Sequence, residues 1–409
     1  MKIGFFSESY KPYASGVVTS LTTFKDELER LGHEVFVFAP SYSHYSDEEK
    51  NVFRYVSLTA PSNPDYSLAV PIYPGMSQRV RHLNLDIIHV HSPFTMGLQG
   101  MKYARRYSKP CVFTYHTRYD QYVHYLLKAP LVARDAAIKY SAYFCNQCDH
   151  IITPSQDIKS ILRNAAVLKP ITVLPTGIPL DKLSQGDSGW LRRNYAIADD
   201  ARILLFVGRL TIEKNLPFLL KSFALIRQRQ KCVLVLTAQG PMEQELRRLS
   251  LELGIEPGKD IIFTGALPYE RMCDVYHSAD LFVFSSLTET QGLVLIEAMA
   301  AGLPVVAVRA TGVRDMVTDG VDGLLCPPDI NEFAAAAVRI LTRDELYRSL
   351  RQGALRKAKL LSSAGAARRL ESIYGALVEN NQATPPNGRL PDKLRERIKG
   401  LPRPELPWI

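Results

Sequence analysis

Two carboxylates eight residues apart, Glu289 and Glu297, occupy the run Thr288–Ala301, TETQGLVLIEAMAA. An ionised carboxylate only accepts hydrogen bonds, so such a pair suits the hydroxyls of a sugar or a ribose. Glu297 interrupts an apolar stretch, and a buried carboxylate without a partner is costly, so it needs a ligand or a partner. A helix starting near Gly292 would offer free N–H groups and the positive end of its dipole to a phosphate. A second cluster is Gly208-Arg209-Leu210-Thr211-Ile212-Glu213-Lys214. Its glycine permits close backbone approach, and cations five residues apart can converge on one diphosphate. Taken alone, that spacing also describes a charged surface loop. His116 follows the apolar run Cys111–Tyr115; a lone histidine there is more often structural. His89 and His91 share one face of another run and read mainly as structural, with acceptor contact as the other role.

These residues need elements that bring them together. Short apolar runs rich in β-branched residues alternate with helical stretches such as Thr19–Leu31 and Leu127–Phe144. Strands are expected at Lys2–Phe6, Glu34–Phe38, Asp86–Val90, Cys111–Tyr115, His150–Thr153 and Ile171–Leu174. A second series follows at Ile203–Val207, Val233–Leu236, Ile261–Phe263, Leu281–Phe284 and Val305–Val308. Such alternation implies parallel sheets with helical crossovers. A chain of 409 residues exceeds the roughly 250–300 at which one core stops growing, so two doubly wound α/β domains are expected. The division expected is 1–175, a linker at 176–189, a second domain at 190–362, a closing helix at 363–379 and a Pro-rich tail at 380–409. That tail is expected to be extended, with a short basic helix at Pro391–Lys399. Ligands bind beyond the carboxyl ends of such strands, so the site belongs in the cleft between two facing sheets.

The strings VGRLTIEKN, TAQGPMEQEL, FTGALP and TETQGLVLIEAMAAGLPVVA, followed by TGVRDMVTDGVDGLL, resemble the family-four glycosyltransferases of the GT-B architecture. FFSESYKPYASGVVTS, DIIHVHSPF, FTYHTRY and LPTGI match the same family in the expected order. The resemblance implies two Rossmann-like domains facing across a cleft and retaining transfer of a sugar from a nucleotide diphosphate. Arg209 and Lys214 would neutralise the leaving diphosphate, with Gly208 beside them. Glu289 would hold the donor sugar and Glu297 the ribose. Backbone N–H groups of Gln291, Gly292 and Leu293 would contact sugar and phosphate. Gly16 would be a close-approach glycine, His116 would help position the reacting sugar, and Gly265–Pro268 would lie near the base. Tyr119 and Asp120 are weaker candidates near His116. Two departures stand out: Ser15-Gly16-Val17 replaces the usual Gly-Gly-Val, and Ala238-Gln239-Gly240-Pro241 replaces Gly-Asp-Gly-Pro.

The net charge is +9, and between Met76 and Lys139 ten Lys or Arg face three acids. That patch suits an anionic partner, whether nucleic acid, a phosphate-bearing substrate or an anionic lipid surface, with a solvated basic face as the plain alternative. SESYKPYASGVVTS together with TETQGL most resembles bacterial diacylglycerol glucosyltransferases, which implies UDP-glucose as donor and a lipid acceptor. Mannosyl transfer from GDP-mannose to phosphatidylinositol, or transfer to a soluble acceptor, is the runner-up. A nucleotide-sugar epimerase and a nucleic-acid-binding protein are more remote readings; no nucleic-acid partner is expected. No D-x-D triplet occurs, so neither a metal nor a cofactor is expected, the nucleotide sugar being a substrate. The CNQC at Cys145–Cys148 has no second pair, so two thiols on one helix face are preferred over a metal site. Only Ile3–Phe6 precedes polar Ser7, and Glu297 breaks the longest apolar run. The expected location is therefore the cytoplasm, peripheral on the inner face of the cell membrane.

Overall fold

A computed structural model describes residues 1–383 apart from 14, 44, 61, 62, 72 and 123–129. Its strands are β1 (Lys2–Phe6), β2 (Glu34–Pro40), β3 (Val52–Tyr55), β4 (Ser57–Ala60), β5 (Asn63–Ala69), β6 (Ile87–Val90), β7 (Cys111–Thr114), β8 (His150–Thr153) and β9 (Ile171–Val173). They continue as β10 (Arg202–Val207), β11 (Cys232–Thr237), β12 (Ile261–Gly265), β13 (Leu281–Phe284), β14 (Val305–Val308) and β15 (Gly323–Cys326).

Two parallel sheets result, in the order β3-β2-β1-β6-β7-β8-β9 and β12-β11-β10-β13-β14-β15, with β4 and β5 as a separate antiparallel pair. Their central strands are apolar on both faces because helices cover both. Ile3 and Phe5 of β1 point into one core, and Phe6 points into the other. In each sheet the strand order reverses once, between β1 and β6 and between β10 and β13. Such reversals leave a crevice at the strand ends, and the functional loops emerge there.

Every expected strand forms, with ends shifted by at most a few residues. Four were not foreseen: β3, β4 and β5 of the antiparallel hairpin, and β15. Arg54 interrupts the apolar pattern of β3 and is tied to Asp47 by a two-pronged ion pair at 2.7 and 2.6 Å. The helix expected over 363–379 runs Ser363–Ala383, since no proline interrupts it before Pro385. It crosses back to the first sheet, where Ala367, Leu370 and Tyr374 join the core around Ile3 and Phe5. The rest of the Pro-rich tail, including Pro391–Lys399, lies outside the described residues, as does Lys128. Both CNQC thiols are buried in the same core, with the Cys148 N–H donating to the Cys145 carbonyl at 3.1 Å. The helix Pro130–Gln147 ends before Cys148, whose Sγ lies 4.0 Å from Cys111 Sγ.

Candidate active site

At the reversal of the second sheet, the loops after β10 and β13 are stitched together. Ser285 Oγ donates to the carbonyl of Lys214 at 2.7 Å, and the Leu287 N–H reaches the carbonyl of Glu213 at 3.3 Å. This brings Lys214 Nζ to 2.5 Å from Glu289 Oε1, with the two side chains 18 % and 13 % exposed. The sequence assigned these groups separate roles; the structure makes them one ion pair. An ammonium has three donors, so pairing with Glu289 leaves others for an anion. Arg209 is exposed in the same loop, and Gly208 has a φ of +149° beside the ring of Phe206.

The segment carrying Glu289 is held from behind. Its N–H donates to the Thr311 carbonyl at 3.3 Å, and a Cβ on Gly312 would fall 2.5 Å from the Glu289 carbonyl oxygen. Gly292, at φ +78°, turns the chain into the helix Leu293–Ala300, whose start carries no side-chain cap. The N–H groups of Gln291, Gly292 and Leu293 therefore precede the first intrahelical bonds, as an anion site requires. Glu297 has a partner: Tyr276 OH donates to its Oε2 at 2.7 Å. Burial raises the Glu297 pKa, and the tyrosine bond partly offsets that rise. Gly265 ends β12 at φ +71° near the Gln239 amide, away from the β10–β13 reversal.

The facing wall comes from the first sheet and is rich in imidazoles. His91 Nδ1 and His116 Nε2 lie 2.9 Å apart, with near-parallel rings at 5.2 Å. Burial pushes His116 down to about 3 and His91 well below the usual histidine range, so both are neutral at neutral pH. His89 is structural: Nδ1 lies 2.5 Å from Tyr374 OH and Nε2 lies 2.6 Å from Thr114 Oγ1. Among the described residues, His91 Nε2 is buried with no hydrogen-bond partner. Asp120 is occupied by Arg118 through two bonds at 2.9 and 2.7 Å, and Tyr119 packs edge-on against Phe94 and Tyr115. Their placement is that of supports for the wall.

Gly16 opens the helix Gly16–Arg30, and a Cβ there would meet nothing within 4 Å among the described residues. Ser15, in place of the usual glycine, caps this helix by accepting the Val18 N–H at 3.3 Å. Glu8, which sequence reasoning passed over, accepts the Met96 N–H at 2.6 Å and caps the otherwise uncapped helix Thr95–Arg106. Burial raises its pKa to about 7.

The two walls touch. Thr290 Oγ1 donates to the His116 carbonyl at 2.8 Å, joining the Glu289 loop to the imidazole wall. The Gln291 side-chain amide pairs with both backbone groups of Thr176, at 2.9 and 2.7 Å. Asp157 takes two bonds from Arg314, at 2.8 and 2.7 Å, and one from the Gly312 N–H at 3.1 Å. The side-chain roles of Gln291, Tyr276 and the Asp157–Arg314 pair were missed because partners more than 100 residues apart, or on another helix, leave no local pattern.

Residues 14–182 match Glycosyltransferase Family 4, and residues 189–357 match Glycosyl transferases group 1. An alpha-monoglucosyldiacylglycerol synthase of Streptococcus pneumoniae is 32 % identical, covering 93 % of this chain and 87 % of that protein. The chain belongs to the family-four glycosyltransferases of GT-B architecture. A GDP-mannose-dependent alpha-mannosyltransferase of Corynebacterium glutamicum is 27 % identical over 94 % of this chain and 91 % of that one. The structure of a sucrose-phosphate synthase from Thermosynechococcus elongatus superposes with a TM-score of 0.75 at 22 % identity, covering 93 % and 99 % of the two chains. That last likeness concerns the fold of this glycosyltransferase. With hexosyl transfer as its activity, the epimerase and nucleic-acid-binding readings lose their basis.

Proposed function

We propose that this glycosyltransferase moves a hexose from UDP-glucose to a lipid hydroxyl such as that of diacylglycerol, with retention of anomeric configuration. The observation that carries the reading is the Lys214–Glu289 pair at the β10–β13 reversal. It sets a cation for the diphosphate beside a carboxylate for sugar hydroxyls. As the leaving group departs, negative charge grows on the diphosphate while the sugar becomes cationic. Lys214, Arg209 and the helix start at Gln291–Leu293 are fixed positive elements aimed at that charge. They take the role a chelated metal plays elsewhere, so neither a metal nor a cofactor is required. Glu289 accepts from the sugar, and Glu297, steadied by Tyr276, reaches the ribose. His116, neutral and joined to His91 through Nε2, presents Nδ1 toward the sugar. The acceptor attacks on the leaving-group face, and the departing phosphate takes its proton. Closure about residues 176–189, sealed by Gln291 on Thr176, excludes water that would hydrolyse the donor.

The acceptor class is supported by the likeness to the pneumococcal synthase and by the basic segment Met76–Lys139. That segment would hold the protein on the inner, anionic face of the cell membrane, from the cytoplasm. No described helix is long and apolar enough to cross a membrane. The likeness to the corynebacterial enzyme favours a second reading, mannosyl transfer from GDP-mannose to phosphatidylinositol or to a soluble acceptor. Incubation with UDP-glucose or GDP-mannose, each with and without diacylglycerol vesicles, separates the two when products are read by mass. A glucosylated diacylglycerol is expected. A product formed equally well without vesicles would remove the lipid acceptor.

A further inference from the structure

The β4–β5 hairpin carries its residues the wrong way round for a soluble surface. Ser57 pairs with Ala69 and Leu58 with Leu68, and the Val70 N–H donates to the Val56 carbonyl at 2.7 Å. Side chains alternate between faces along each strand, so Val56, Leu58, Leu68 and Val70 share one face. On the opposite face Ser67 and Ala69 are 8 % and 6 % exposed and Ser57 is half-buried, and Thr59 near the strand end is exposed. Val56, Leu58 and Leu68 are 59 %, 67 % and 47 % exposed. An antiparallel pair with one wet face ordinarily keeps polar residues on that side. A single exposed leucine needs no explanation, whereas a contiguous cross-strand set marks a contact surface.

Charge says what the surface meets. The next element is the helix Met76–Leu83, which buries Met76 and Val80 and exposes Arg79 and Arg81. Among the described residues neither arginine forms an ion pair, and from Val56 to Leu85 the sequence holds one acid, Asp65. At the other border, Gln99 donates to the Pro71 carbonyl at 3.3 Å, tying the hairpin to the helix that exposes Leu98 at 47 % and Lys102. Apolar residues flanked by unpaired cations match an anionic bilayer. A second copy of the chain, meeting through the same patch, would set these cations against each other.

We propose that the Val56–Leu58–Leu68–Val70 face is a membrane-docking wedge. It enters the boundary between headgroups and acyl chains while Arg79 and Arg81 meet the headgroups. The purpose of docking rests on the lipid-acceptor reading above, but the docking itself is measured without turnover.

The test uses the full chain, its Leu58→Glu and Leu68→Glu variants, and vesicles of phosphatidylcholine with or without phosphatidylglycerol. Wild type should sediment with the anionic vesicles, and each variant should bind them at least about tenfold more weakly, given the transfer energy of a leucine. Because both side chains are exposed, melting temperatures should stay put. Transfer to a water-soluble short-chain diacylglycerol should be unchanged, and transfer to vesicle-borne acceptor should fall with binding. Vesicle binding by both variants equal to wild type would overturn the proposal. So would a wild-type dimer that the variants convert to monomers. Wild-type docking through this face with transfer only to soluble acceptors would uphold the wedge and remove the lipid acceptor.

Discussion

At the reversal of the second sheet, Lys214 and Glu289 meet at 2.5 Å and Arg209 stands exposed in the same loop. At the reversal of the first sheet, two imidazoles meet at 2.9 Å, both held neutral by burial. The same topology thus builds one charged wall and one neutral wall. The charged wall keeps its ions by pairing them in a partly solvated cleft, which spares each the cost of standing alone. The neutral wall desolvates its groups and joins them by ring hydrogen bonds. On the function proposed above, a diphosphate would be drawn to the charged side only. Thr290 and Asp157 then fix the distance between the walls.

The largest way to break this comparison is to remove the charged wall. Lys214→Ala should lower kcat by about 100-fold or more, the order seen when one charge-stabilising donor is lost. Near-normal turnover at saturating donor would assign the leaving group's charge elsewhere, and Arg209 would be the group to change next.

A smaller effect tests the neutral wall through pH. His116 titrates near 6.5 in an unfolded chain and at about 3 in the fold. The unfolded chain therefore binds the proton first as pH falls. The stability His116 contributes is full above 6.5 and is lost as pH falls toward 3, by up to about 1.4 kcal/mol per pH unit. Glu8 works in the opposite sense. Its pKa is raised from 4.5 to about 7, so ionisation of the unfolded chain erodes stability as pH rises through that interval. Between about pH 4.5 and 6.5 the slope of Tm against pH should flatten in His116→Asn and steepen in Glu8→Gln. Identical slopes in both variants would contradict the burial of one or both groups.

The two walls also differed in how far they could be read from sequence. Arg209, Lys214, Glu289 and Gly292 were legible because each follows a strand directly, and a loop of fixed length fixes where a side chain can go. Glu297 was legible as an anomaly, a carboxylate in an apolar helix, though its tyrosine lies 21 residues earlier on another helix. The imidazole wall was half legible. The alternation of His89 and His91 put them on one face, but only the fold shows that His89 is consumed by Tyr374, 285 residues away. Glu8 gave no signal, because its work is to cap a helix that begins 87 residues later. The sheets were readable from continuous apolar strands. The β4–β5 hairpin was not, because its apolar residues face outward.

The smallest expected effect sharpens what seats the charged loop. Ala238 stands where the family usually has glycine, and its φ of +143° is a region that side chains rarely adopt. The loop is held there by its neighbours: the Leu210 N–H donates to Gln239 at 3.1 Å and the Met242 N–H to Leu210 at 3.0 Å. Gly240 packs so closely that a Cβ would lie 2.4 Å from the Leu210 carbonyl. Strain of this kind is worth about 1–3 kcal/mol, against about 0.5–1 kcal/mol for the added freedom of glycine in the unfolded chain. Ala238→Gly should therefore stabilise by about 1 kcal/mol and raise Tm by about 2 °C. Gly240→Ala should do the reverse and by more, since no side chain can yield there. A lower Tm for Ala238→Gly would mean that the alanine sits without strain.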